Sequence, residues 1–265
     1  MAKSKLIRDL ISDDLSLVQA FDRLLVIAME LNDRNLIKWA KQEKYGYGKD
    51  DEVPDYRYIK LVPIGDYRHY SMGYITTYSN QVLPTIGFTP EMKEKIENFK
   101  NRDSIAQIID AKKALDNGKL VGIVEKPEFF SLFEEGTNIK VIRATLALNP
   151  LELGKILEST KTRLIEVLTL LEKNFGNLDE VDIDTRDYSD NEISALKKAV
   201  EQVLKGQPIC TTYYITGSKI KNSNIGKDNK NEKAISANIS PTVNVNQEKK
   251  SFFASLFEKL FKRSN

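Results

Sequence analysis

DRNLIKWAKQEKYGYGKDDEVPDYR, residues 33–57, is the stretch in which a helical pattern gives way to a strand pattern. Asp33 can cap a helix that Gly46 would end. The apolar positions between them recur at helical spacing: Leu36, Ile37, Trp39 and Ala40. The glycines, acids and proline that follow cannot continue this helix. We therefore predict a helix, then a turn, then a strand that begins over residues 54–57.

Helical spacing also precedes this stretch, and strand composition follows it. Ser16 can cap an apolar run with three- and four-residue spacing that extends to Leu31. Together with the helix after Asp33, this run predicts an N-terminal helical hairpin. Residues 56–83 are instead rich in Tyr, Ile, Val and Thr, which is typical of strands. Breaks are expected near Pro63, Gly65 and Gly73.

Later segments add helices and strands to this beginning. Asn149-Pro150 starts a predicted helix of about seven turns that ends at Phe175-Gly176. Shorter helices are predicted over residues 89–99, 104–115 and 189–206, and strands over 121–124 and 139–148. The fold class is therefore α+β, with an N-terminal helical hairpin, a mixed or antiparallel β-sheet with flanking helices, and a long helix near 150–175.

Composition limits the kinds of site that the chain can build. One Cys and one His exclude an internal disulfide and a zinc site made of Cys or His. No stretch approaches the roughly 18 apolar residues of a spanning helix, and the N-terminus lacks an apolar signal segment. We expect a cytoplasmic protein. The acids at 50–52 and 179–187 are interpreted as solvated loops and His69 as a surface or structural residue, so no metal or cofactor is predicted.

The C-terminal part differs from the body in charge and pattern. Residues 218–265 carry +6, and since the whole chain carries +2, residues 1–217 carry −4. Residues 207–250 predict a polar tether, in which isoleucines recur every five residues at Ile215, Ile220 and Ile225. Two interpretations stay open for this tether: disorder, or β structure formed in an oligomer.

Residues 251–265 predict a C-terminal amphipathic helix. Its apolar face holds Phe252, Phe253, Leu256, Phe257, Leu260 and Phe261, and its flanking cations are Lys259, Lys262 and Arg263. With Ser251 as its cap and residues 252–263 as its helical part, it would be about 18 Å long at 1.5 Å per residue, too short to cross a bilayer. These nine residues are our candidate membrane- or partner-contacting set. Docking on protein and binding in a membrane interface both stay open.

The segment from Leu6 to Arg57 resembles the AbiTii domain of bacterial abortive-infection proteins. The resemblance rests on the pattern of residues 6–28, on the helix text Asn35-Leu36-Ile37-Lys38-Trp39-Ala40, and on the turn that follows. Its most distinctive residues are Trp39, Gly46, Tyr47, Pro54, Asp55, Tyr56 and Arg57, which we interpret as structural anchors. The similarity continues to Phe175. We therefore divide the chain into an AbiTii-like body (1–206), the tether (207–250) and the C-terminal helix (251–265).

The resemblance implies a role in phage defence, in which infection leads to growth arrest or death of the host cell. It supplies no catalytic residues, and the chain contains none of the common linear catalytic motifs. Our leading expectation is a non-enzymatic antiphage protein whose body senses or oligomerises and whose C-terminal helix acts on a membrane or a partner. Its expected partners are further copies of itself or a neighbouring defence protein, with peripheral contact at the inner membrane and no nucleic acid.

Two alternatives to this expectation stay open. One is a toxin-like enzyme, such as a nuclease whose site is formed by residues distant in sequence. The other is a scaffold or an antitoxin-like binding protein.

Overall fold

Three helices form the N-terminal part of the computed structural model, which describes residues 3–181, 183–186 and 188–207. These are α1 (Lys5–Ile11), α2 (Leu17–Glu30) and α3 (Arg34–Tyr45). The predicted hairpin of α2 and α3 is confirmed. Ser16 and Gln19 form a reciprocal capping box at the start of α2, and the Asp33 carboxylate accepts two backbone hydrogen bonds at the start of α3. Helix α1 was not predicted.

The chain after α3 does not enter a strand at Pro54, so that prediction is wrong. Asp55–Arg57 forms a single 3₁₀ turn, closed by a hydrogen bond of 2.9 Å from the Arg57 N–H to the Pro54 carbonyl. The turn directs the Arg57 side chain inward, where it is fully buried. The strand β1 (Tyr58–Ile59) follows and pairs with β4 (Phe99–Lys100) in a small antiparallel sheet.

The main sheet has four strands, and every pairing in it is antiparallel. The strands are β2 (Val62–Ser71), β3 (Tyr74–Val82), β5 (Gly122–Val124) and β6 (Ile139–Ala147), in the spatial order β3-β2-β6-β5. A two-residue loop joins β2 to β3. Its residues Met72 and Gly73 have φ of 46° and 82°, the positive values of a type I′ turn, which favours Gly at the second position.

The remaining helices are α4 (Pro90–Glu97), α5 (Ile105–Asp116), α6 (Phe130–Glu134), α7 (Pro150–Phe175) and α8 (Asp190–Leu204). Apart from the short α6, which was not predicted, each of these helices begins and ends within a few residues of its predicted bounds. The main hydrophobic core joins α1, α2, α3, α5, α7 and α8. The α+β class is thus confirmed, and the sheet is antiparallel.

No helix in the described part of the chain is long and apolar enough to cross a membrane. The predicted C-terminal helix and the tether, apart from Gln207, lie outside the described residues. The same holds for the membrane- or partner-contacting set defined above.

Candidate functional site

A buried carboxylate, Glu43 of α3, lies at the centre of a polar cluster inside the body. Its Oε1 accepts hydrogen bonds from the hydroxyls of Tyr47 at 2.6 Å and Tyr56 at 2.7 Å. Arg57 donates from Nε to Oε1 at 3.1 Å and from Nη2 to Oε2 at 2.6 Å. Both side chains of the Glu43–Arg57 ion pair are 0% exposed. The pair is therefore a bidentate salt bridge without access to solvent.

A second ring of contacts ties this cluster to the surrounding elements. The Trp39 indole N–H donates to the Tyr56 hydroxyl at 2.9 Å, and Arg57 Nη1 donates to the Asp103 carbonyl at 2.6 Å. From α7, the Thr160 hydroxyl lies 3.4 Å from Glu43 Oε2, and the guanidinium of Arg163 lies 4.2 Å from the centre of the Tyr56 ring. The cluster thus connects α3, the 3₁₀ turn, the start of α5 and α7.

Local structure explains how residues from both sides of the turn reach Glu43. Gly46 ends α3 with φ of 93°, and a Cβ there would lie 2.9 Å from the Arg102 carbonyl oxygen. This close approach lets the Tyr47 N–H donate to the same carbonyl at 2.8 Å. Only a glycine fits both requirements, so the chain turns here and returns Tyr56 and Arg57 to α3.

The protonation states of the cluster are fixed by burial and by the charge of Glu43. Burial raises the pKa of Tyr47 and of Tyr56, and the negative charge of Glu43 raises both pKa values further. Burial alone would lower the pKa of Arg57, but attraction to Glu43 outweighs it and the pKa is raised. The phenols stay protonated donors and the guanidinium stays charged. With five donors on two oxygens, Glu43 has no position left for a substrate, so the cluster stabilises the fold.

Four of the seven anchor residues proposed from the sequence, Trp39, Tyr47, Tyr56 and Arg57, meet at this cluster. Gly46 provides the turn, and Pro54 and Asp55 start the 3₁₀ turn. Sequence reasoning missed Glu43 itself. The signal was available, because Glu43 continues the buried face of α3 four residues after Trp39 and seven after Leu36. Thr160 and Arg163 gave no such signal, since they lie more than a hundred residues away.

An open groove of about 540 Å³ lies on the main sheet and, unlike the closed cluster, is exposed to solvent. Its walls combine aromatic, aliphatic and polar side chains: Tyr67, His69, Tyr78, Val82, Leu83, Pro84, Thr137, Asn138 and Ile139. The rings of Tyr67 and Tyr78 stack with centres 5.2 Å apart. Here His69 is half-buried in the groove wall rather than in the core. The groove offers aromatic stacking surface and hydrogen-bonding groups.

The hairpin of β2 and β3 exposes several large apolar side chains beside the groove. They include Met72 at 97% exposure and Tyr74 at 78%, together with Tyr70, Ile75, Tyr78 and Val82. Every residue of β3 is exposed. Such residues bury no core surface, so the fold itself does not explain them. We call Val62–Ser71 and Tyr74–Val82 with their turn the sheet hairpin.

Several acids of the two loops have hydrogen-bond or ion-pair partners in the described residues. Asp51 accepts a hydrogen bond of 2.7 Å from the Gly48 N–H, and Asp179 accepts one of 3.0 Å from the Leu6 N–H. Asp184 pairs with Arg186, which lowers the pKa of this carboxyl to about 2. Among the residues that the structure describes, no group of three His, Cys, Asp or Glu side chains could hold a metal ion.

Comparison with protein families finds a match over the greater part of the chain. The family model described as AbiTii matches residues 4–195. That segment contains the Glu43 cluster, the groove and the sheet hairpin. No curated protein and no solved structure matches the chain.

Proposed function

Because the chain belongs to the AbiTii family, which is involved in abortive infection and phage defence, we propose that it defends bacteria without being an enzyme. In this proposal the body recognises a component of the infection or assembles with further copies through its sheet hairpin. The C-terminal amphipathic segment then acts on a membrane or on a partner protein. Growth arrest or death of the infected cell would follow.

The observation that carries this proposal is the contrast between the closed cluster and the exposed sheet hairpin. The side chains of Glu43 and Arg57 are both sealed from solvent. The hairpin instead presents aromatic and aliphatic side chains next to an open groove. Exposed apolar surface of this kind marks a contact with another molecule. Recognition or assembly fits this surface better than catalysis does.

The sequence supports a separate role for the C-terminal segment. Residues 218–265 carry +6, whereas residues 1–217 carry −4. A helix with four phenylalanines on one face and Lys259, Lys262 and Arg263 beside it has the composition of an interfacial membrane helix. The cations would meet anionic lipid head groups, while the aromatic face would enter the interface. A hydrophobic groove of a partner protein would bind the same face.

The experiment compares bacteria that express the full chain with bacteria that express a chain ending at Gln247. Both are challenged with phage, and survival, membrane potential and nucleic-acid integrity are followed in the same cultures. We expect the full chain to limit phage spread and arrest infected cells, and the shortened chain to lose this effect. Arrest that persists in the shortened chain, with degraded nucleic acid, would instead identify a nuclease-like enzyme in the body.

A matched pair of double variants tests the apolar face directly. Phe253→Glu with Phe257→Glu places two carboxylates on that face and should abolish protection as the truncation does. Ala254→Glu with Ser255→Glu adds the same charge to the opposite face of the predicted helix and should retain protection. Flotation with anionic vesicles then separates lipid from protein as the target. Equal protection by both double variants would refute the role of this face.

A further inference from the structure

Strand β3 is a long and unprotected edge of the main sheet. It has nine residues, and its sequence YITTYSNQV contains neither a charged residue nor a proline. Natural sheets commonly protect their edges with charges, prolines or very short strands, because exposed backbone N–H and C=O groups can pair with another chain. The strand at the opposite edge, β5, is protected in this way because it has only three residues. The exposed edge of β3 is therefore suited to pairing with a further strand.

An irregularity limits where such pairing can occur. Tyr67 lies opposite Tyr78 and Gly65 opposite Gln81, so two residues of β3, Ser79 and Asn80, face the single residue Asp66. Asn80 has a φ of 53°, and its N–H donates to Asp66 Oδ1 at 2.8 Å. This bulge interrupts the outer edge. Residues 74–78 remain as a regular edge of five residues.

Those five residues, YITTY, have a pattern that complements itself. Tyr74, Thr76 and Tyr78 lie on the sheet face that also carries Tyr67 and His69, since directly paired residues share a face. An antiparallel pairing of two copies about Thr76 would place Tyr74 opposite Tyr78 twice and Thr76 opposite Thr76. Aromatic pairs and Thr–Thr pairs are among the stabilising cross-strand pairs. No like charges would meet.

We propose that a second copy of this chain pairs with the β3 edge, antiparallel and with the two-fold axis at Thr76. The contact is isologous, so it closes as a dimer and joins two four-stranded sheets into one of eight strands. Tyr74 of the second copy then continues the stack that Tyr67 and Tyr78 begin, beside the groove. Each copy thereby extends the groove wall of the other. This inference rests on the assembly part of the proposed function and makes it specific.

The contact is small, and this sets its expected strength. Five residue pairs together with the exposed Tyr70 and Met72 fall at the low end of protein interfaces, so the dimer should dissociate on dilution. Sedimentation velocity of the purified full chain from about 1 to about 100 µM should show the mass rising from monomer to dimer. A monomer throughout that range would overturn the proposal.

Introducing a charge at Thr76, of either sign, tests the position of the two-fold axis. Thr76→Lys and Thr76→Glu should each remain monomeric, because the axis brings two like charges together. An equimolar mixture of the two variants should form dimers again, since an ammonium then faces a carboxylate. Thr76 is exposed, so both variants should keep the thermal stability of the wild type. Dimers of either variant alone at wild-type strength, or a mixture that stays monomeric, would refute an axis at Thr76.

Val124→Lys is the matched control, because it places the same charge on the other edge strand at a residue that is 66% exposed. Its dimerisation should equal that of the wild type. Loss of dimers in this variant with retention in Thr76→Lys would assign the contact to β5 instead. These measurements need neither phage nor membrane. Dimerisation can therefore be refuted while the defence role stands. It can also be confirmed even if the C-terminal variants show no effect on protection.

Discussion

At the scale of single residues, the Glu43–Arg57 pair has the largest expected effect on stability. Removing either charge from water is costly, and the pair is tolerated because every hydrogen-bonding position around Glu43 is occupied. Glu43→Gln leaves the Arg57 guanidinium buried without its counter-charge. We expect the free energy of unfolding to fall by about 3–5 kcal/mol. Urea unfolding followed by the fluorescence of Trp39, the one tryptophan of the chain, measures this.

The control for this change is an exposed pair. Lys60 and Glu97 contact each other at 3.2 Å, with side chains 60% and 56% exposed. Glu97→Gln removes the same charge and should cost no more than about 1 kcal/mol. Equal losses in the two variants would contradict a special role for burial at Glu43.

The two tyrosines on Glu43 should differ in their effect. Tyr56→Phe removes a hydroxyl that donates to Glu43 and also accepts from the Trp39 N–H, so a buried indole donor loses its partner. We expect a loss of about 1–3 kcal/mol. Tyr47→Phe removes a donor to Glu43 but leaves the Trp39 N–H with its acceptor, so it should cost less. The same unfolding measurement checks the order, and a larger loss for Tyr47→Phe would contradict it.

The resemblance to the AbiTii domain pointed to Trp39, Gly46, Tyr47 and Arg57 as structural anchors. It did not point to Glu43, the group that several of them surround. Glu43 does not stand out, because a glutamate on a helix is usually solvated. Its burial depends on Arg57, and the 3₁₀ turn that delivers Arg57 is a tertiary outcome. The sequence pattern favoured a strand there, since Tyr and Arg also fit strands.

At the scale of elements, local signals predicted the longer helices well. Caps act within three residues, so Ser16, Asp33, Asn149 and Ser189 could be recognised directly. The short α1, α6 and β4 were missed, because elements of two to seven residues are stabilised mainly by packing against distant parts of the chain. Strand order and the β3 bulge are likewise long-range properties.

The cap of α5 gives a prediction at this scale. The Ser104 hydroxyl accepts from the Gln107 N–H at 3.2 Å and donates to the Gln107 side chain at 2.9 Å. Ser104→Ala leaves that N–H without its side-chain acceptor and should lower the free energy of unfolding by about 0.5–2 kcal/mol. Ser131→Ala, an exposed position inside α6, is the control and should have little effect. Equal losses would show that the hydroxyl of Ser104 does not act as a cap.

At the scale of the whole molecule, hydrogen bonds and an ion pair hold Lys3 and Ser4 against the C-terminal end of α7. Glu172 of α7 contacts the Lys3 ammonium at 2.6 Å and accepts hydrogen bonds from the Ser4 backbone N–H and hydroxyl. The Ser4 hydroxyl also accepts from the Leu178 N–H at 3.1 Å. The Glu172 carboxylate therefore joins two segments that are about 170 residues apart in the sequence. No local sequence pattern predicts this contact.

This contact should make stability depend on pH through Glu172. Burial alone would raise the pKa of this carboxyl, but hydrogen bonds from Lys3 and Ser4 outweigh it and lower the pKa below its ordinary value of 4.5. A carboxyl with a lowered pKa stabilises the folded state fully above its unfolded pKa, and this stabilisation is lost as the pH falls through the folded pKa. Its contribution should therefore disappear on the acid side of about pH 4.5.

Glu172→Gln tests this contribution, because glutamine cannot titrate. The variant should be less stable than the wild type at neutral pH, and the difference should shrink as the pH falls from neutral through 4.5 and below, as Glu172 of the wild type takes up a proton. Urea unfolding at a series of pH values measures the difference. Glu152→Gln, which removes a carboxylate paired with Lys155 on the same helix, controls for the loss of charge from α7. A stability difference for Glu172→Gln that stays constant over this range would show that the N-terminal contact does not depend on the ionised carboxyl, and would assign the effect to packing alone.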